Sequence, residues 1–311
     1  MKPDILLIEP MTPEVEAQLD AAYRVHRLYQ ATDAAALIAG VGSSIRAIVT
    51  GGAHGASNEV VDALAALEII AINGIGTDAV DLERARARSI RVTTTPDVLT
   101  DDVADLAIGL IIATSRRICV ADRCVRAGRW PEAHLPLSAK VSGKRLGIFG
   151  LGHVGRAIAR RAEGFGMPIA YCERHPAEVA YRFVPALEDL AKESDFLVIA
   201  ASGGPATRGI VNRSVLDALG PSSILINVAR GSVVDEPALV AALVEGRLGG
   251  AGLDVFAHEP EVPAALWSME NVVLQPHQAS ATVETRRAMA DLVLANLAAH
   301  FAGAEPLTPV V

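Results

Sequence analysis

Cysteine is scarce in this chain of 311 residues: Cys119, Cys124 and Cys172 are the only three, and they stand at no metal-ligand spacing. An odd, unpatterned count argues against a disulfide framework and suits a reducing compartment, so a cytoplasmic protein without a metal is expected. Aromatic residues make up 4% of the chain, with two tryptophans, so few rings are on hand to shape a pocket. Positive charge is in the minority, 28 Lys and Arg against 36 Asp and Glu, for a net charge of −8. Nucleic acid and anionic membrane surfaces call for clustered basic residues, so neither is an expected partner. Long hydrophobic runs are missing too. The longest apolar stretch, Leu106 to Ala113, is far below the roughly 18 residues of a spanning helix. The opening MKPDILLIEP has an apolar run too short for a secretory signal.

What is present fits two ordinary domains with buried cores: 51% apolar and 21% charged residues over 311 positions. From residue 4 short apolar runs alternate with helical patterns: Ile5 to Ile8, Pro13 to Ala22, Ile45 to Val49, Val60 to Leu67, Ile69 to Ile72, Val80 to Arg88. A second series of strands begins at Arg145 to Phe149. It continues through Ile169 to Cys172, Phe196 to Ala200, Ile224 to Val228, Gly250 to Val255 and Asn271 to Leu274. Strands alternating with helices mean parallel sheets, hence two α/β domains. Between the series lies TDDVADLAIGLIIATSRRICVADRCVRAGRW, read as one helical run so apolar around Leu106 to Ala113 that it must be buried all round, either between domains or against another subunit. The closing ATVETRRAMADLVLANLAAHF reads as an amphipathic helix that crosses back onto the first domain.

Chemistry concentrates in the second series. Gly150, Gly152 and Gly155 of FGLGHVG follow a strand and open a helix. In that context glycines supply a tight turn, close approach to a pyrophosphate and close helix packing. Single polar residues then stand at strand ends, where an open α/β sheet puts its ligands: Arg230, Asp254, Glu259 and His277. Singly each has a plain explanation: a surface ion pair, a helix cap, a solvated acid, a loop histidine. Jointly they are the cation, carboxylates and imidazole that hydride transfer to a keto acid requires.

The stretches GLGHVG, NVARGSVVDEPAL, GAGLDVFAHEP and LQPHQASATVETRRAM, with NGIGTDAVDL upstream, resemble the D-isomer-specific 2-hydroxyacid dehydrogenases, and among them the glyoxylate/hydroxypyruvate reductase branch, over essentially the whole chain. The resemblance implies two Rossmann/flavodoxin-like doubly wound parallel-sheet domains, with a dinucleotide-binding domain (99–284) inserted into a substrate domain (1–98 plus 285–311). It implies that Arg230 binds the substrate's carboxylate and carbonyl oxygen, that His277 is the acid/base, that Glu259 is its partner, and that Asp254 takes the nicotinamide carboxamide. Ile75 and Gly76 would offer N–H groups to the substrate carboxylate, with Gly52 and Ala53 in the same pocket. Leu151, His153, Val154, Thr207 and Val228 join the three glycines as implied cofactor residues. Two positions depart from the family's pattern: Ala279 replaces a common glycine, and Asp105 a common glutamate at what is expected to be an inter-domain contact.

YCERHP at 171–176 carries the cofactor signal. An acid at the second strand's end selects a free ribose 2′-hydroxyl, an arginine a 2′-phosphate. Glu173 fits the first and Arg174 the second. A bidentate contact from Arg174 to phosphate favours NADP(H), with NAD(H) the alternative and a solvated Glu173–Arg174 pair the plain reading. The expected activity is reduction of small 2-keto acids such as glyoxylate and hydroxypyruvate to D-2-hydroxy acids. A nucleotide-sensing corepressor-like scaffold shares this fold, but the chain carries no motif-binding extension. A 3-phosphoglycerate dehydrogenase is disfavoured by the missing regulatory extension, and a formate dehydrogenase by Glu259 where its relatives carry glutamine. A homodimer is expected, through the apolar helix from Asp101 to Cys119 and the loop through Trp130 and Pro136; loops near Gly52 and Leu135 should set the size of the substrate's R-group.

Overall fold

A computed structural model describes residues 2–132 and 134–311. The chain divides into two compact units, the residues up to Leu99 together with Thr282–Val311, and Thr100–Ala281.

In the first unit five strands, β1 (Asp4–Leu7), β2 (Arg24–Arg27), β3 (Ile45–Gly51), β4 (Ile69–Asn73) and β5 (Arg91–Thr93), form one sheet of order β2-β1-β3-β4-β5. All pairings are parallel. Strands covered on both faces read as continuous apolar runs, and alternate residues serve opposite faces. Leu6, Ile48, Ile70 and Ile72 pack with Val61, Leu64 and Ala85. Ile5, Leu7, Val49, Ile69 and Ala71 pack with Val15 and Leu19, and with Ala290, Val293 and Leu297 of the closing helix Val283–Phe301. That helix lies against β4 in this unit. Its start is capped by Thr282, whose side chain accepts from Thr285 N. Asp33, Ser57 and Asp81 cap earlier helices in the same way.

The second unit holds β6 (Leu146–Phe149), β7 (Ile169–Cys172), β8 (Arg182–Phe183), β9 (Phe196–Ile199), β10 (Ile224–Asn227), β11 (Gly250–Leu253) and β12 (Val272–Leu274), in the order β12-β11-β10-β9-β6-β7-β8. Again every pairing is parallel. The strand order reverses between β6 and β9, which is where a doubly wound sheet opens a crevice at its carboxyl ends.

Several elements differ from expectation. β2, RVHR, carries three charged or titratable side chains and escaped notice; as an edge strand it needs no apolar face, and His26 and Arg27 pair instead with Asp4, Glu16 and Asp20. The two-residue β8 and the three-residue β5 are too short to leave a pattern. The helices expected over Val60 to Leu67 and Val80 to Arg88 are Asn58–Ala63 and Leu82–Ala87. The single run after Thr100 is two helices, Thr100–Ser115 and Ile118–Arg126, broken at Arg117, whose φ of 53° lies in the left-handed region. Within the single chain the first of them is covered on one side. Val103, Ala104, Ala107, Leu110, Ile111 and Thr114 form one buried face, while Leu106, Ile108 and Ile112 are half-buried and Gly109 is exposed. Asp105, with Asp101, pairs with Arg161 of helix His153–Glu163, all three within the second unit. Among the described residues no helix is long and apolar enough to cross a membrane, and no cluster of three or more His, Cys, Asp or Glu is arranged for a metal.

Candidate active site

The loops after β6, β7, β9, β10, β11 and β12, at the carboxyl edge of the second sheet, carry the chemistry. The loop after β6 turns through Gly150, at φ 94°, and enters helix His153–Glu163. A side chain at Gly155 would put its Cβ 2.0 Å from the Gly150 carbonyl oxygen, so the helix can approach the strand only as glycine. Around Gly152, by contrast, a Cβ would meet nothing within 4 Å, and Gly152 caps the helix without a side-chain bond. The result is an open helix N-terminus without a side-chain cap from Gly152, the environment a dinucleotide pyrophosphate needs. These residues fit the cofactor. Leu151 is buried and Val154 half-buried, whereas Gly152 and His153 are exposed.

At the end of β7 the Glu173 carboxylate turns back onto this loop, Oε2 accepting from Leu151 N at 2.7 Å. Arg174 is exposed and makes no hydrogen bond or ion pair among the described residues. The solvated Glu173–Arg174 pair is therefore not formed. Thr207, beyond β9, anchors its own turn through Oγ1 to Ser202 O at 2.7 Å, and Val228 is buried at the end of β10.

Arg230 follows β10 on extended backbone, half-buried, with Asn227 Nδ2 donating to its carbonyl at 3.0 Å. Glu259 and His277 come from separate loops and meet. His277 Nδ1 lies 2.6 Å from Glu259 Oε2, and Glu259 Oε1 accepts from Phe256 N at 2.9 Å. With the carboxylate on Nδ1, that nitrogen carries the hydrogen and Nε2 is the nitrogen left for chemistry; the tautomer follows from this bonding pattern. Burial pushes the Glu259 carboxyl up, but His277, the Phe256 N–H and the charge of Arg230 outweigh it and hold the group below its ordinary value. Glu259 is thus an anion facing the imidazole.

His277 has φ 53°, a conformation that costs a non-glycine residue on the order of 1–3 kcal/mol. Asp254, 1% exposed, holds it there. Its carbonyl accepts from His277 N at 2.8 Å, its Oδ1 from Gln278 N at 2.8 Å and its Oδ2 from Ala279 N at 3.1 Å. Burial pushes this carboxyl up, with the two backbone N–H groups and His277 opposing. Sequence reasoning missed this clamp because its partners are backbone N–H groups, which no residue type announces.

In the first unit Gly52 and Ala53 follow β3, and Ile75 and Gly76 follow β4, all at the carboxyl edge of that sheet. Among the described residues the N–H groups of Ile75 and Gly76 have no hydrogen-bond partner, and Ile75 is exposed.

The sequence model for the NAD binding domain of the D-isomer specific 2-hydroxyacid dehydrogenases matches residues 108–279. The chain belongs to that family. It is 52% identical over 308 residues to hydroxyphenylpyruvate reductase of Plectranthus scutellarioides, covering 99% of this chain and 98% of that protein. It is 50% identical, with the same coverage, to glyoxylate/hydroxypyruvate reductase A of Arabidopsis thaliana. Among solved structures, the NADPH-dependent glyoxylate/hydroxypyruvate reductase of Sinorhizobium meliloti in complex with NADP and malonate superposes with a TM-score of 0.92 at 45% identity, covering 100% of this chain and 97% of that one. As a member of the family the chain is an oxidoreductase that uses a nicotinamide cofactor to reduce 2-keto acids.

Proposed function

We propose that the chain reduces glyoxylate and hydroxypyruvate to the corresponding 2-hydroxy acids, with NADPH as the preferred reductant. The observation that carries the reading is the His277–Glu259 contact, 2.6 Å at Nδ1, which leaves Nε2 to give its proton to the substrate's carbonyl oxygen. A bound reduced nicotinamide supplies the hydride. Arg230, a planar cation, bridges the substrate's carboxylate and carbonyl oxygens; in the first unit the unpartnered N–H groups of Ile75 and Gly76, with Gly52 and Ala53, are the candidates for holding a carboxylate. The donor is the imidazolium form of His277, which the Glu259 anion faces, and loss of the Nε2 proton leaves the neutral ring with its hydrogen on Nδ1. Asp254 has both oxygens on the 277–279 turn, so we assign it to holding His277 in position rather than to the nicotinamide carboxamide.

For the cofactor, the Gly150–Gly155 loop and the N-terminus of helix His153–Glu163 take the pyrophosphate. The exposed guanidinium of Arg174 is free to take a 2′-phosphate, and the structure of 0.92 TM-score is that of an NADPH-dependent enzyme. NADH is the second reading, favoured by Glu173, whose carboxylate on Leu151 N stands where a ribose-binding acid stands. We further propose a homodimer. Helix Ile118–Arg126 and the stretch after it expose Ile118, Val125, Trp130, Leu135 and Leu137, the last two at 44% and 100%, more apolar surface than a monomer ordinarily leaves in one stretch.

The test is oxidation of NADPH and of NADH by each keto acid in the parent and in Arg174→Ala. The reading expects turnover of both acids and an NADPH preference that the substitution weakens. No turnover of either acid overturns the activity; a parental preference for NADH, or one for NADPH untouched by the substitution, overturns the cofactor assignment.

A further inference from the structure

The first sheet, of order β2-β1-β3-β4-β5, has its own topological switch point between β1 and β3, the place where ligands sit outside the carboxyl ends of such a sheet. Two ionisable side chains meet across it. Glu9 follows β1 and His54 follows β3, and His54 Nδ1 pairs with Glu9 Oε2. The pair is built into the fold. Glu9 Oε1 lies where a Cβ on Gly51 would be, 1.8 Å from that position, so the last residue of β3 must be glycine for the carboxylate to lie there. The loop that carries His54 is fastened: Thr50 Oγ1 donates to Gly55 O at 2.6 Å and Gly55 N to Gly51 O at 2.9 Å. Next to it, Gly74 packs so closely on Gly52 that a Cβ would stand 3.3 Å from Gly52 N. At Gly51, Gly52 and Gly74 that edge is therefore bare backbone, and Glu9 and His54 stand beside it. The His54 side chain is 65% exposed and that of Glu9 23%. His54 Nε2 has no partner among the described residues.

Resting on the functional reading above, in which Gly52 and Ala53 line the substrate pocket, we propose that the Glu9–His54 pair is the specificity determinant for the substrate's R-group and selects 2-keto acids whose R-group is uncharged and carries a hydroxyl. His54 directly follows Ala53 in the same loop. With Nδ1 occupied by Glu9, Nε2 is directed to hydrogen-bond a hydroxyl, which both donates and accepts. The Glu9 carboxylate beside it repels a second carboxylate on the substrate, so dicarboxylic keto acids are rejected by charge. Glyoxylate, whose R-group is a hydrogen, has nothing to offer the pair. Hydroxypyruvate and longer hydroxylated keto acids have.

The experiment compares kcat/KM for glyoxylate, hydroxypyruvate and oxaloacetate in the parent, His54→Ala and Glu9→Gln. His54→Ala should lower the ratio of hydroxypyruvate to glyoxylate about tenfold, the worth of one hydrogen bond in the transition state. Glu9→Gln keeps the shape beside Gly51 and should raise the ratio of oxaloacetate to glyoxylate about tenfold by removing one like charge. A parent that reduces glyoxylate and hydroxypyruvate, with both ratios within about twofold of parental in the variants, overturns this assignment alone. A parent that reduces neither overturns the functional reading and this assignment with it.

Discussion

Asp254→Asn is the substitution that most directly probes how His277 is held. The carboxylate accepts one backbone N–H on each oxygen, from Gln278 at 2.8 Å and Ala279 at 3.1 Å. Asparagine keeps one acceptor and presents an NH2 group to the other N–H. One hydrogen bond to a charged acceptor is lost, worth about 1.5–3 kcal/mol, and a buried donor is left facing a donor. In the other direction, the variant no longer buries a charge, the cost that pushes the Asp254 carboxyl up. These effects oppose each other, so the melting temperature should move by only a few degrees, at about 2–4 °C per kcal/mol for a unit of this size. The turn itself gains nothing from that compensation. Loosened, it releases the left-handed His277, and a displacement of about 1 Å at a reacting group costs on the order of 10²-fold in rate. Steady-state kinetics with glyoxylate and cofactor titration should therefore show kcat lowered about 10- to 100-fold with the cofactor dissociation constant within about threefold of parental. A parental kcat with cofactor binding weakened tenfold would refute the reasoning and return Asp254 to the nicotinamide.

Glu259→Gln keeps the outline of the side chain and removes its charge. Because the folded-state carboxyl lies below its ordinary value of 4.5, its contribution to stability is complete above that pH and is lost as pH falls through the folded-state value. The stability difference between parent and variant should shrink on acidification below about pH 4.5, and denaturant melts showing a difference constant from pH 7 to about 3 would contradict the contact with His277. Arg230→Lys keeps charge but not the fork; kcat/KM should fall about 10²-fold, and an unchanged value would remove Arg230 from the substrate. Sedimentation at micromolar concentration should give a species of two chains, and Leu137→Asp should shift it towards one; a parent that sediments as one chain contradicts the dimer.

The cores of both sheets were legible because central parallel strands are buried on both faces and read as short apolar runs: Ile45 to Val49 and Ile224 to Val228 need no tertiary information. Edge strands were not, since RVHR satisfies itself with Asp4, Glu16 and Asp20 and carries no apolar pattern. The break at Arg117 was hidden for a related reason: arginine is a good helix former, and nothing local says that it takes a left-handed φ. Within the site, the residue types at the strand ends pointed to hydride chemistry, but the pairing of His277 with a glutamate 18 positions earlier comes from two loops meeting at one sheet edge. Asp254 shows the limit most clearly. Its partners are N–H groups, common to nearly every residue, so the clamp becomes visible only with coordinates. The meeting of Glu9 with His54 across the switch point is of the same kind, a contact between loops that strand order alone brings together.

The central claim is that His277 Nε2 delivers the proton while a separate glycine-rich loop holds the cofactor, and a paired measurement on His277→Ala tests it. With glyoxylate as substrate, turnover should fall by about 10²- to 10⁴-fold, the usual contribution of a general acid, while the dissociation constant for the reduced cofactor stays near parental. A variant that retains more than about half of parental turnover would contradict the account, because a general acid worth that little is not one.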